Sequence, residues 1–446
     1  MWFRRDLRLS DHPALAYAAR DEREVVPVFI IDPALVRHSG LPRLAFMYRS
    51  LRALDESMGG QLVVRHGSPD VALGDLAAET GATEVVVTRD YAPYGRHRDA
   101  LVANTLAAPG AQLVGKGAPY VVAPGSVVKN DGTPYAVFTP FRRTWLRHGW
   151  AMPTLTPLVR WSGTDVWPTD AIPDDPHITC ELPEAGEPAA HRRWGEFVTT
   201  SLDRYDELRD APAADATSLM SPYLRWGQVH PRQLLADLGD SRAHETFRSE
   251  LAWREFYADV LFHAPHSARR NLQQKMNAIE LDTDAEALKR FAVWTQGRTG
   301  YPLVDAGMRQ LLATGMMHNR VRMIVASFLV KDLHLPWQWG ARHFMRHLVD
   351  GDLASNQHGW QWVAGTGTDA APYFRVFNPT AQSRRFDPFG EYIRRWVPEL
   401  GEFSNTDVHA PWLGTRDLPV GVQRPMLDHS VERSETLRRY QTAMGR

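Results

Sequence analysis

The sequence predicts two domains of different class, a parallel-sheet α/β domain followed by an all-α domain. Three observations carry this. At 446 residues the chain exceeds what one hydrophobic core usually organises. Its first part alternates short β-branched runs with segments of helical spacing, and strand signals vanish after His191. Between them, over 152–188, proline, glycine and aspartate interrupt every period. The division expected is 1–130 for the α/β domain, 131–190 for an interdomain connection and 191–446 for the helical domain.

Trp2 and Phe3 read as a first strand cut short, as if a few residues should precede them. "EVVPVFIID" (24–32), "QLVVRHG" (61–67), "EVVVTRD" (84–90) and "AQLVGKG" (111–117) read as buried strands. Leu41–Met58, Pro69–Thr80 and Gly95–Ala107 between them have helical spacing, so right-handed crossovers and a parallel sheet follow. Beyond the connection, helices are expected over His191–Leu208, Pro231–Leu238, Ala243–His263, Ala285–Gln296, Leu303–Thr314, Asn319–Asp332 and Trp337–Leu348.

Composition excludes several classes. No apolar run is long enough to span a bilayer, and "MWFRRDLRLSDHP" carries charges where a secretion signal would be apolar. One cysteine, Cys180, allows neither an intrachain disulfide nor a cysteine-based zinc site, so a cytoplasmic location is the default. The histidines lack H-E-x-x-H spacing, and no metal site is expected. The α/β part has neither a G-x-G-x-x-G nor a G-x-x-x-x-G-K-[ST] loop, which argues against a dinucleotide or triphosphate held there in the usual way. A formal net charge of −1 leaves nucleic-acid binding to a local basic patch.

The helical part concentrates polar and aromatic residues. In "FRSELAWREFYADV", Glu250 precedes Arg254 by four residues while Trp253 and Tyr257 form an adjacent stripe. This suits a surface ion pair over packed rings, or an acid and a ring projecting into a cavity. In "MHNRVRM", Asn319, Arg322 and Met323 share a face, and Asp350, Asp352 and Asn356 in "VDGDLASNQHGW" are candidate partners for a buried arginine. Thr217, Ser218 and Ser221 precede a short helix, where hydroxyls either cap the helix or hold a phosphate. "GWQWVAGTGTDAAPYFRVFNP" brings Trp360 and Trp362 together with Tyr373, Phe374, Arg375 and Phe377, as ordinary core or as the wall of a site for something flat.

The ordered strings "WFRRDLRLSDHPAL", "FTPF", "WREFY", "GRTGYPLVDAGMRQL", "MHNRVRM", "ASFLVKDL", "DGDLASNQHGWQW", "GTGTDAAPYFRVFNP" and "FDPFGEYIRRWVPEL" resemble the DNA photolyase and cryptochrome family. The resemblance runs over essentially the whole length. Within the family it is strongest to class I cyclobutane pyrimidine dimer photolyases. It implies a Rossmann-like α/β domain, a helical FAD-binding domain, and light-driven repair of pyrimidine dimers in UV-damaged DNA. It further implies a monomer without an obligate protein or membrane partner. Carried over by motif, the flavin contacts are Tyr205, Thr217, Ser218, Leu219, Met220, Ser221, Phe247, Glu250, Arg254, Asn319, Arg322, Asp350, Asp352 and Asn356. The lesion and DNA contacts are Trp253, Asn319, Arg320, Met323, Trp362 and Arg375, with Glu250 hydrogen-bonding the dimer. Asn356 faces the flavin N5, and Trp360 and Trp337 match the first two of three electron-donating tryptophans.

Some positions depart from the family pattern. Leu219 stands where the family has arginine, Phe247 where a tryptophan is common, and "MNAIELDTDAEALKRF" lacks the third tryptophan, so photoreduction uses another exit or is slow. For a second, light-harvesting chromophore, Gly95 and Ala268-Arg269 lack the folate-type residues. "DYAPYGRHRD" is more like members that bind an 8-hydroxy-5-deazaflavin. The rival expectations are a cryptochrome-like blue-light photoreceptor, weakened by Asn356 and by the absence of a long tail after "ETLRRYQTAMGR", and a flavin-free binding relative.

Overall fold

The computed structural model describes all residues except Pro109, Tyr373 and Arg446. The chain packs as two compact units. One comprises Met1–Ile178, Pro183–Asp203 and Ser218–Pro265, and the other Thr179–Leu182, Arg204–Thr217 and His266–Arg446.

The first unit is the α/β one. Its strands are β1 (Trp2–Phe3), β2 (Glu24–Val25), β3 (Val28–Ile31), β4 (Val63–His66), β5 (Glu84–Val87), β6 (Gln112–Gly115) and β7 (Arg160–Trp161). They pair as β1-β3-β4, β5-β6 and β2-β7, every ladder parallel, with registers such as Phe29 opposite Val64 and Val86 opposite Val114. Pro27 divides the run expected as one strand into β2 and β3, because proline cannot donate to a ladder. The crossover helices Leu41–Ser57, Pro69–Thr80 and Pro93–Leu106 each carry proline in the first turn, where a missing N–H costs nothing. Trp2, Val28, Ile30, Val63, Leu73, Val85, Val87 and Val102 form one apolar core between strands and helices.

The stretch expected as a connection contains a helix, Phe138–His148. Its Phe138, Phe141 and Trp145 are buried against the long Arg242–His263 helix, which also belongs to this unit. Ser241 begins that long helix by accepting from the His244 N–H at 3.2 Å. Glu255, 2% exposed, ties three segments together. It accepts from the Val121 and Val122 amides at 2.5 and 3.1 Å and from Trp145 Nε1 at 2.6 Å. Burial pushes its carboxyl up to about 7.

The second unit is helical and is built around Trp294, Leu311, Val325, Phe328, Phe344, Trp360 and Tyr392. One long helix was expected over 319–332. Instead, an α-helix at Asn319–Ser327 widens into a π-turn, Phe328–Asp332, in which the Leu333 N–H bonds the Phe328 carbonyl at 2.9 Å. Such wide turns frequently accompany functional sites. The last helix, His429–Ala443, is fastened to this turn by a His429–Asp332 ion pair at 2.5 Å and by the Thr436 hydroxyl on the Lys331 carbonyl. Among the described residues no helix is long and apolar enough to cross a membrane.

Candidate functional site

The implied site residues fall in both units. In the first, the Arg242–His263 helix presents Phe247, Glu250, Trp253 and Arg254. Phe247 is buried between Trp194 and Phe197, with ring centroids at 5.2 and 5.3 Å, so an aromatic platform persists there without an indole N–H. Trp253 is half-buried, with Phe138 stacked on it at 3.7 Å and 8° and Tyr257 tilted against it at 5.4 Å. The stacked Phe138 ring therefore restrains the plane of the indole. Arg254 donates to the Pro119 carbonyl at 3.0 Å and the Leu224 carbonyl at 3.3 Å, with its guanidinium 4.7 Å from the Tyr120 ring centre. That leaves it a fixed positive group on this helix.

Residues 218–221 form a sharp turn. Leu219 has φ +54°, a left-handed backbone unusual for leucine, and its side chain is exposed. The Met220 N–H reaches Ser218 Oγ at 3.4 Å, and Arg193 Nε holds the Ser218 carbonyl at 3.1 Å. The Ser221–Trp226 helix lacks a side-chain cap at its start.

In the second unit the Asn319–Ser327 and Leu353–Ala364 helices pack together and carry most of the remaining positions. Arg322 donates to Asp350 at 2.9 Å and to the Met317 carbonyl at 2.7 Å, so the pair inferred from sequence forms, with Asp350 buried. Asp352 is the N-cap of the second helix, accepting from the Ser355 N–H at 3.1 Å. Asn356 donates through Nδ2 to the Ala341 carbonyl at 3.1 Å and to Gln357 Oε1 at 2.7 Å, which fixes its oxygen as the end left to accept. Asn319 is exposed on the first turn, and Met323 is half-buried on the same helix. Tyr205 is buried, with the Arg209 guanidinium 5.7 Å from its ring centre. Arg320 forms a two-point contact with Asp210, at 3.1 and 2.8 Å, and lies 4.5 Å from the Phe386 ring centre. The aspartate thus partners Arg320, while Asp350 partners Arg322.

The two tryptophans of the 359–379 stretch differ in burial. Trp360 is 3% exposed and meets Phe344 edge-on at 5.0 Å, and a Cβ on Gly340 would lie 2.1 Å from it. Trp337 is equally buried and donates to Asn271 Oδ1 at 2.8 Å. Trp362 is half-buried, and Arg375 is exposed with its guanidinium 5.6 Å from the Phe377 ring centre. Tyr373, part of the same aromatic stretch, lies outside the described residues.

Three features escaped sequence reasoning. Gln361 is no mere spacer: fully buried, it donates to the Ser267 carbonyl and accepts from the Leu272 N–H, both at 2.8 Å. Phe138 backs Trp253, and "FTPF" was the available signal. A cavity of about 460 Å³ in the first unit is lined by Phe138, Thr139, Arg142, Arg143, Arg147 and Ser249. Its arginines supply the local positive charge that the net charge of the chain conceals.

Open parallel sheets usually take ligands at the carboxyl ends of their strands. Here the ends of β1 and β5 are filled by their own side chains. Arg4 pairs with Asp99 at 2.5 Å, Asp6 accepts from Thr88 Oγ1 at 2.5 Å, and the Arg4 and Arg98 guanidiniums lie 4.6 and 4.9 Å from the Trp2 ring centre. At Gly95 a Cβ would meet Asp90 at 2.2 Å, so the position holds no larger side chain unless Asp90 moves.

The chain is similar to known proteins over its whole length. A DNA photolyase model matches residues 1–158, and a model for the FAD binding domain of DNA photolyase matches 247–442. A deoxyribodipyrimidine photo-lyase of Vibrio cholerae is 39% identical, spanning 100% of this chain and 99% of its own. A bacterial class III photolyase from Agrobacterium tumefaciens superposes with a TM-score of 0.92 at 36% identity, over 100% of this chain and 97% of that one. An archaeal photolyase from Sulfolobus tokodaii, solved with two FAD molecules, gives 0.86 at 28% identity over 99% of each.

Proposed function

The chain belongs to the DNA photolyase family, and we propose that, as a deoxyribodipyrimidine photo-lyase, it splits cyclobutane pyrimidine dimers in UV-damaged DNA under blue light. The observation that carries this reading is Asn356. Its amide nitrogen is engaged by Ala341 and Gln357, so its oxygen is oriented to accept from a ring N–H, as a reduced flavin requires.

FAD, when bound, supplies the absorption of light and the one-electron donation to the dimer. The residues present suit it. Thr217, Ser218 and Ser221 offer hydroxyls for the pyrophosphate around the left-handed turn at Leu219, with Met220 beside it and leucine where the family has arginine. Arg254, Asn319, Arg322, Asp350 and Asp352 provide the charged and amide groups for the remainder, while Tyr205 and Phe247 supply apolar flanks. Asp350 holds Arg322 in one orientation, so no reorganisation is needed when the ring system is bound.

The lesion is read by flat walls. Trp253, braced by Phe138, and Trp362 stack on a dimer flipped from the helix, a step helped by the poor pairing of a damaged base. Glu250 hydrogen-bonds the dimer near a thymine carbonyl, and Met323 packs beside it. Arg320 and Arg375 meet the DNA backbone, as do the arginines at 142, 143 and 147. Trp360 and Trp337 are the residues that would carry electrons towards a flavin held there. We read the protein as cytoplasmic and monomeric. For a second chromophore, the resemblance of "DYAPYGRHRD" favours an 8-hydroxy-5-deazaflavin over a folate.

Glu250→Ala tests the reaction itself. Loss of one hydrogen bond to a developing charge should lower the repair quantum yield several-fold while the dimer Kd in the dark changes by less than about threefold. Equal losses in both would remove Glu250 from the chemistry.

A further inference from the structure

Lys331 is a buried charged group that the reading above leaves without a role. Its side chain is 1% exposed, although lysine is almost never fully buried. A buried ammonium ordinarily pairs with a carboxylate. The adjacent Asp332 instead pairs with His429, and Lys331 Nζ donates to the main-chain carbonyl of Arg375 at 2.8 Å, with the Tyr440 ring centre 5.9 Å away. Burial pulls the ammonium down to about 8; the neighbouring Asp332 charge opposes this, and the Arg375 charge adds to it.

Both ends of this contact have informative surroundings. The lysine backbone is anchored, since its carbonyl accepts the Thr436 hydroxyl and Tyr440 Oη donates to the Ala364 carbonyl at 2.6 Å. Residues 374–376 lie in no helix or strand; among the ties of this stretch to the rest of the unit are the Ala371 N–H on the Trp362 carbonyl at 3.1 Å, the buried Phe377 and Lys331. An apolar residue of the same volume would pack at Lys331 with less desolvation. The charge therefore brings direction to a backbone carbonyl rather than stability. In a water-poor surrounding such a bond is strong.

We propose that Lys331 is a positioning residue that clamps the backbone of the Arg375 segment, so that the exposed Arg375 guanidinium meets the damaged strand in one orientation. The proposal rests on the reading of Arg375 as a DNA contact. Lys331→Met is measured as the flavin-loaded protein, with an unchanged visible spectrum and melting temperature as the check on folding. It should bind dimer-containing DNA about tenfold more weakly. In free protein, hydrogen exchange at the amides of Arg375 and Val376 should rise about tenfold. Lys331→Gln, which retains an N–H donor, should recover most of the binding. In the Arg375→Ala background, Lys331→Met should add less than about a twofold further loss, since the two act through one contact. Unchanged exchange in Lys331→Met, or losses that multiply in the double variant, overturns the clamp. If Arg375→Ala alone leaves dimer binding intact, it is the DNA reading of Arg375 that fails, and the exchange measurement still decides the clamp.

Discussion

Trp360 and Trp362 stand two residues apart on one helix, yet they meet different surroundings: one is sealed against Phe344 and Gly340, the other is half-buried. Their tasks should separate accordingly. Trp360→Phe should slow flavin photoreduction in time-resolved absorption while leaving dimer affinity unchanged. Trp362→Phe should weaken dimer binding about threefold to tenfold with photoreduction intact. The same loss in both variants would collapse the two roles into one. At this level the sequence was uneven as a guide. Charge and burial alone left Asp350, Asp352 and Asn356 open as partners for an arginine of the Asn319–Ser327 helix, and the pair that forms is Arg322 with Asp350. The partner of Arg320, Asp210, lies 110 positions away and left no local trace. Gln361 looked like a spacer because a buried amide declares itself only when its backbone partners, Ser267 and Leu272, are brought to it by the fold.

The helices that carry the site are held by a few polar ties, and Glu255 is one that titrates near neutrality. Burial raises its carboxyl from 4.5 to about 7, so the folded state keeps the proton longer than the unfolded chain does. The associated stability is complete below about pH 4.5 and is lost as pH climbs through 7, up to about 3 kcal/mol in size. Chemical denaturation across pH 5–8 should therefore show wild type losing stability relative to its value at pH 5, and Glu255→Gln should flatten that slope. An identical slope in both proteins would mean that the carboxyl ionises normally. Element boundaries were legible wherever period and punctuation agreed, as at Pro69–Thr80 and Pro302–Thr314. They failed where one residue overrode the period. Pro27 divided a strand, and the apolar run at Phe328–Asp332 looked helical but widened into a π-turn that the spacing could not distinguish. The Phe138–His148 helix was missed because the connection was drawn from 131, although the breaker-rich stretch begins only at 152.

Across the whole chain, near-neutral net charge conceals a basic face. Removing Arg143, exposed on the cavity of about 460 Å³, should weaken binding to undamaged duplex and reduce the slope of log K against log salt by about one. An unchanged slope would place the DNA elsewhere. Fold class could be read from alternation and its loss after His191, since those patterns follow from burial. The ligand could not, because Thr217, Ser218, Asn356 and Arg375 lie far apart in sequence and individually suit capping or packing. Only their order along the chain, matched to a family, named the chemistry. The most direct test of that chemistry is to record the visible spectrum of the purified protein and then follow thymine absorbance of a cyclobutane-dimer oligonucleotide under blue light. The account predicts a flavin spectrum and recovery of thymine absorbance that requires light. A flavin-containing protein that restores none would contradict it in favour of a photoreceptor, and a colourless protein would contradict the cofactor as well.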